Sequence, residues 1–273
     1  MNDKSEEPTQ KKAGTRVLAV ANQKGGVGKT TTSVNLAASL GLMNREVLLI
    51  DLDPQGNATM GSGMEKKDLP HSIYDVLIGE KSAEESLVKA EAAGYDVLGA
   101  NSDLIGAEIE LLDLDRREYR LKDALLGFGG KYDFIVLDCP PALGVLTLNG
   151  LVASDSVIIP MQCEYYALEG LTALLDTIDR ISSSLNPKLK VEGLLRTMYD
   201  PRNSLSRDVS LHLIDHFGDA VYRTIVPKNV RLAEAPSYGV PVHFYDKYSR
   251  GSKAYLALAG DCLLYTSPSP RDS

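Results

Sequence analysis

Short apolar runs recur along the chain and alternate with longer stretches whose apolar positions return every three or four residues. The runs at Val17 to Ala21, Val47 to Asp51, Tyr95 to Ala100, Phe134 to Asp138, Ser156 to Pro160, Val191 to Thr197 and Tyr222 to Val226 read as strands. The periodic stretches predict helices over about Lys29 to Met43, Ile105 to Leu126 with a break near Asp113, Leu168 to Leu185, Ser206 to Phe217 and Lys253 to Cys262. Strands that are apolar throughout and separated by helices belong to a parallel sheet covered on both faces. The expected fold is therefore α/β, one doubly wound, mostly parallel sheet with helices on both faces. Ligands of such sheets bind beyond the carboxyl ends of the strands. The loop at 22–30, Asp51, Asp53 and Asp138 all follow strands, so they should converge on one edge.

The two ends break this rhythm. Residues 1–14 are polar and mixed in charge and read as a flexible leader; residues 263–273, LLYTSPSPRDS, abandon helical periodicity for Ser and Pro and read as a tail foreign to the fold. Residues 15–262 are expected to form a single domain. At 273 residues and 44% hydrophobic content the chain can bury one substantial core. No apolar run approaches the roughly 20 residues that span a bilayer, and the N-terminus lacks an apolar signal segment, so the expected location is the cytoplasm. Cys139, Cys163 and Cys262 have no CxxC spacing and read as reduced, buried thiols. The first two each follow a strand and could be neighbours in the sheet.

A net charge of −8 argues against an indiscriminately basic surface. The charge is uneven, however: Arg196 to Lys253 holds nine Lys/Arg against six Asp/Glu. An excess of this size marks either a solvated face or a modest anion-binding one.

The first strand leads into KGGVGKTT, residues 24–31, at the start of a helix. Gly25, Gly26 and Gly28 allow the backbone around Val27 to turn its N–H groups toward phosphates. Lys29 reaches the β and γ oxygens, and the hydroxyl of Thr30, which Thr31 follows, can ligate Mg²⁺. The helix start adds a positive dipole end. This is the pattern of a nucleoside triphosphate site, with ATP and Mg²⁺ as ligands. It departs from the ordinary phosphate loop in having Gln23 where glycine is usual and a second lysine, Lys24, at its start. Two lysines would crowd one nucleotide. Lys24 is better used on a triphosphate held by a second copy, which makes dimerisation depend on ATP.

Two further segments supply carboxylates. In Asp51-Leu-Asp-Pro-Gln-Gly-Asn57, Asp51 and Asp53 alternate onto one side of an extended segment and could position water and support the metal. Phe134-Ile-Val-Leu-Asp138 is an apolar strand ending in the carboxylate expected of a Walker B position, with Asp138 holding Mg²⁺ through water. His212 and His216, with Asp208, share a helix face but have no further ligand in view, and a solvated face is the expected reading. Tyr165 and Tyr166 could stack on a base, although packing at a strand end explains them as well.

In order and spacing, KGGVGKTT, LIDLDPQGN, IVLDCPPALG, IPMQCEYYALEGL and VPKNVRLAEAPSYG resemble the ParA/Soj partition ATPases, members of the deviant Walker A group of P-loop NTPases, from Arg16 to Ala259. The resemblance implies that Lys24 contacts the partner subunit's ATP, Lys29 the phosphates and Thr30 the metal, and that Asp53 supports hydrolysis. It implies that Pro227 and Asn229 lie near the adenine. It also implies that Arg202 and Arg231 bind double-stranded DNA without sequence preference in an ATP-bound homodimer, where a surface salt bridge is the plain alternative for each. A ParB/Spo0J-type centromere-binding partner that stimulates hydrolysis, nucleoid association and a chromosome or plasmid as cargo complete what is implied, with no membrane contact. Two relatives share the loop. A MinD-type division-site ATPase needs a basic amphipathic C-terminal helix that the Ser/Pro tail cannot form. A nitrogenase-reductase-like protein needs cluster cysteines that Cys139 and Cys163 do not match.

Overall fold

In the computed structural model, which describes residues 14–165 and 167–264, strand side chains are apolar on both faces of one sheet. The strands are β1 (Arg16–Val20), β2 (Val47–Asp51), β3 (Leu87–Ala90), β4 (Tyr95–Leu98), β5 (Phe134–Asp138), β6 (Ser156–Gln162), β7 (Lys190–Tyr199) and β8 (Val221–Pro227), ordered β3-β4-β2-β5-β1-β6-β7-β8. Alternation assigns their side chains to two cores: Leu48, Ile50, Ile135 and Leu137 to one face, Val47, Leu49, Phe134 and Val136 to the other. The strands from β4 to β8 pair in parallel, and β3 joins the edge antiparallel to β4. The doubly wound expectation holds. All seven predicted strands lie in this sheet, with ends moved by at most two residues. β3 was not predicted, because Leu-Val-Lys-Ala is too short and mixed to stand out; it is a hairpin partner closed by Gly94 at φ 76°.

The covering helices are α1 (Lys29–Leu42), α2 (Asn57–Gly61), α3 (Ile73–Ile78), α4 (Leu104–Glu110), α5 (Arg120–Leu125), α6 (Val145–Ala153), α7 (Ala167–Ser184), α8 (Ser204–Phe217), α9 (Val230–Glu234), α10 (Val242–Tyr245) and α11 (Arg250–Leu264). In α7, Leu171, Leu174, Ile178 and Ile181 repeat at helical spacing and are buried. Each stabilises the fold by about 1.5–3 kcal/mol relative to exposure. The predicted helix over 105–126 breaks into α4 and α5, and Arg116 between them is left-handed at φ 53°. Short α3 stands on a capping box: Ser72 Oγ accepts from the Tyr74 N–H and the Asp75 carboxylate from the Ser72 N–H.

Arg16 ties the first strand to the last helix. Its guanidinium pairs with Glu192 at 2.7 Å and donates to the Cys262 carbonyl at 2.7 Å, while Glu192 also accepts from Ser156 Oγ at 2.7 Å. Helical structure persists through Leu264, and Leu263 packs on the core, so the expected break does not fall at Leu263. The rest of the leader and of the tail lies outside the described residues. Cys139 and Cys163 are not sheet neighbours, because β1 runs between β5 and β6. Both are buried free thiols, as is Cys262. No helix of the described residues is long and apolar enough to cross a membrane.

Candidate functional site

β1 delivers the chain to a loop whose backbone needs glycine. Gly26 and Gly28 lie at φ 73° and 90°, and Gly28 caps α1. Both ends of the loop are fastened to the sheet. Asn22 Nδ2 donates to the Pro160 carbonyl at 2.8 Å, and Asn22 Oδ1 accepts from the Lys24 N–H at 2.9 Å. At the far end Thr197 Oγ1 donates to the Val27 carbonyl at 2.7 Å. Lys29 is buried, and its Nζ donates to the Lys24 carbonyl at 3.1 Å. Burial lowers the Lys29 pKa, while Asp138 and Asp53 oppose that shift by favouring the charged form. A cation set behind a glycine loop at a helix start suits a phosphate.

Asp138 ends β5 fully buried. Its Oδ2 accepts from Thr30 Oγ1 and its Oδ1 from Ser33 Oγ, each at 2.8 Å. Burial first, and then the charge of Asp51, pushes this carboxyl up. Hydroxyl and carboxylate oxygens with no nitrogen or sulfur among them are the donors a hard cation such as Mg²⁺ takes, so the residues fit that ion.

The paired role expected of Asp51 and Asp53 needs correction. Asp51 is fully buried: its Oδ2 accepts from both the N–H and the Oγ1 of Thr59 at 2.8 Å, and its Oδ1 accepts from the Asp53 N–H at 3.1 Å. Thr59 Oγ1 in turn accepts from the Ala100 N–H at 2.9 Å. Asp51 is an internal anchor that shapes the turn and is not open to water. Asp53 is half-buried, and its Oδ1 accepts from the Gln55 N–H at 2.9 Å. Gly56 closes this turn at φ 60°, where a Cβ would meet the Ala100 carbonyl at 2.7 Å.

Lys24 stands exposed at the loop rim, and its Nζ pairs with Glu164 just beyond β6. Pro227, at the end of β8, is in register with Tyr199, and the Lys228 N–H donates to the Tyr199 carbonyl at 3.1 Å. Asn229 caps α9, its Oδ1 accepting from the Leu232 N–H at 3.3 Å. Arg202 is exposed and clamps Asp200 through two guanidinium contacts, at 3.0 and 2.8 Å. Arg231 pairs with Glu234 at 2.8 Å and Asp246 at 3.4 Å and lies over the Tyr245 ring.

Residues 15–191 match the AAA domain family. Over 250 residues the chain is 52% identical to the chromosome partitioning protein ParA of Caulobacter vibrioides, covering 91% of this chain and 94% of that protein. It is 51% identical over 244 residues to the sporulation initiation inhibitor protein Soj of Bacillus subtilis, covering 89% and 96%. The chain belongs to the ParA/Soj family of chromosome-partitioning ATPases. Among solved structures, a cobyrinic acid a,c-diamide synthase from Mycobacterium smegmatis with bound ATP analogue and magnesium is 43% identical, with a TM-score of 0.81 over 92% of this chain and 95% of that one. The MinD-type reading gives way, since the ParA relatives at about half identity are chromosome partitioning proteins.

In this ParA/Soj chain the loop 24–31, Asp53 and Asp138 gather at one sheet edge, with Pro227 at the end of β8 and Asn229 just past it on the same side. Arg202 and Arg231 lie past β7 and β8 and are both ion-paired within the chain. Sequence reasoning missed Ser33, Thr59, Glu164 and Thr197. Ser33, one turn after Thr30, was within reach of helical spacing, whereas the others meet their partners only through tertiary structure. Tyr166 lies outside the described residues and Tyr165 is exposed. His212 and His216 line an open groove with Asp215, and no group of three or more metal-ligating side chains occurs among the described residues.

Proposed function

We propose that this chain hydrolyses ATP to ADP and phosphate in a Mg²⁺-dependent reaction, and that two copies close face to face on their bound ATP. The observation that carries this reading is the gathering of Lys29, Thr30, Asp53 and Asp138 at the carboxyl edge of β1, β2 and β5, with Lys24 at its exposed rim. Loop backbone from Gly25 to Gly28 cradles the phosphates, Lys29 leaves the Lys24 carbonyl to meet them, and Thr31 follows at the helix start. Thr30 and Asp138 would hold Mg²⁺, which neutralises charge on the phosphate oxygens. Asp53 orients the attacking water. Lys24 crosses to the partner's ATP, and Pro227 and Asn229 flank the adenine.

We infer that the closed homodimer binds double-stranded DNA without sequence preference. Two adjoining concavities of about 370 and 470 Å³ at the ends of β7 and β8 are lined by Arg202, Lys228, Arg250 and Lys253, with Tyr199, Pro201 and Pro227 between them and Asp200 as the acidic member. One copy offers few phosphate contacts; two copies double them, and affinity then falls steeply with salt. Arg231 joins this surface only by leaving Glu234 and Asp246. The ATP-bound dimer resides on the nucleoid, and a ParB/Spo0J-type partner that stimulates hydrolysis releases it from the DNA. The test is sedimentation and phosphate release with ATP and Mg²⁺. Mass doubling with ATP but not with ADP, and hydrolysis lost in Thr30→Ala, is the expected result; a chain that stays monomeric with ATP bound overturns the dimer.

A further inference from the structure

We infer that Glu164 is a positioning residue that holds Lys24 inside its own subunit until a partner's nucleotide displaces it, and so sets the threshold for ATP-dependent dimerisation. The inference rests on the reading that Lys24 acts on the ATP of a second copy. Both members of the pair are pinned to the end of the same strand. Lys24 is held through Asn22 to the Pro160 carbonyl in β6. Glu164 sits in the turn leaving β6, where its N–H donates to the Gln162 carbonyl at 3.0 Å, its own carbonyl accepts from the Ala167 N–H at 3.0 Å, and the neighbouring Cys163 carbonyl accepts from Ser206 Oγ at 3.3 Å. With both backbones fixed, the contact orders only two side chains, so it forms at low entropic cost.

The pair is also weak enough to open. Its side chains remain 46% and 52% exposed, and exposed pairs shift an equilibrium by about 1.5- to 5-fold each. A triphosphate carries far more charge than one carboxylate and therefore outcompetes Glu164 once a second copy approaches. The two lysines are arranged in series: Lys29 rests on the Lys24 carbonyl, while the Lys24 ammonium rests on Glu164. A subunit's own ATP calls on the first contact and the partner's ATP on the second. Each dimer opens two such pairs, so removing Glu164 should multiply the dimerisation constant by about 2- to 30-fold.

The test measures dimerisation by sedimentation with a slowly hydrolysed ATP analogue and Mg²⁺ in the full chain, Glu164→Gln, Lys24→Ala and the double variant, with melting temperatures as a folding check. The inference expects Glu164→Gln to dimerise 2- to 30-fold more tightly and Glu164→Asp to fall between it and the parent. It expects Lys24→Ala to stay monomeric and Glu164→Gln to restore nothing in that background. Unchanged or weaker dimerisation of Glu164→Gln, with Lys24→Ala monomeric, overturns the role of Glu164 alone. Tightening that persists without Lys24 also overturns it, as a general charge effect. Parental dimerisation of Lys24→Ala instead removes the reading of Lys24 on which the inference stands.

Discussion

Thr30 Oγ1 donates to Asp138 Oδ2 across 2.8 Å, joining the first turn of α1 to the end of β5. Ser33 completes the clasp on the other carboxylate oxygen. Ser33→Ala leaves a buried carboxylate oxygen without its donor and should lower stability by about 1–3 kcal/mol, read as a shifted midpoint in urea unfolding at unchanged slope. An unshifted midpoint would mean that the clasp contributes nothing to the fold.

Asp53 is half-buried near Lys29, whereas Asp51 is consumed by Thr59. Asp53→Ala should bind ATP with near-parental affinity, hydrolyse it about 10²-fold more slowly and accumulate as the ATP-bound dimer. Single-turnover phosphate release measures this directly. Parental hydrolysis would assign the water-orienting role elsewhere.

Glu192 is buried against Arg16 and Ser156, so Glu192→Ala takes the carboxylate from a guanidinium that keeps the Cys262 carbonyl, and the acceptor from the Ser156 hydroxyl. The expected loss of stability is about 3 kcal/mol, because Glu192 in β7 joins the side chains of Arg16 in β1 and Ser156 in β6. Thermal unfolding of the variant should show it, and a loss well below 1 kcal/mol would rule out a structural role for the junction.

Arg202 holds the Asp200 carboxyl at a pKa of about 2, below its ordinary 3.8, chiefly by hydrogen bonding. A depressed carboxylate favours the folded clamp above pH 3.8, and that contribution is lost as the pH falls through about 2. Carboxyl NMR titration should place the Asp200 midpoint near 2 in the parent and higher in Arg202→Ala, though still below 3.8, because the backbone N–H at position 202 and the Lys228 charge remain. The same midpoint in both proteins would show that Arg202 does not hold Asp200 in solution.

Much of this architecture was legible in the chain. Apolar runs such as Phe134–Asp138 carry strand and carboxylate together, and parallel topology sends every such end to one edge. The loop at 24–31 carries its chemistry locally, in glycines and lysines. What could not be read depends on contacts between distant segments: Thr197 on Val27, Glu164 on Lys24 and Thr59 on Asp51. The alternation that placed Asp51 and Asp53 on one side of an extended segment held no information about Thr59, which fills the space behind Asp51. Short α2, α3, α9 and α10 also escaped notice, since four to six residues are too few to show a helical period.

The most direct test of the central claim, that nucleotide state switches DNA affinity through dimerisation, is binding to a random-sequence duplex with a slowly hydrolysed ATP analogue, with ADP and without nucleotide across a salt titration. The account predicts tight binding only with the ATP analogue, a linear fall of log affinity with log salt, and a slope shallower by about two phosphate contacts in Arg202→Ala, one from each copy. Equal affinity in all three nucleotide states, or an ATP-bound dimer that ignores DNA at low salt, would contradict it.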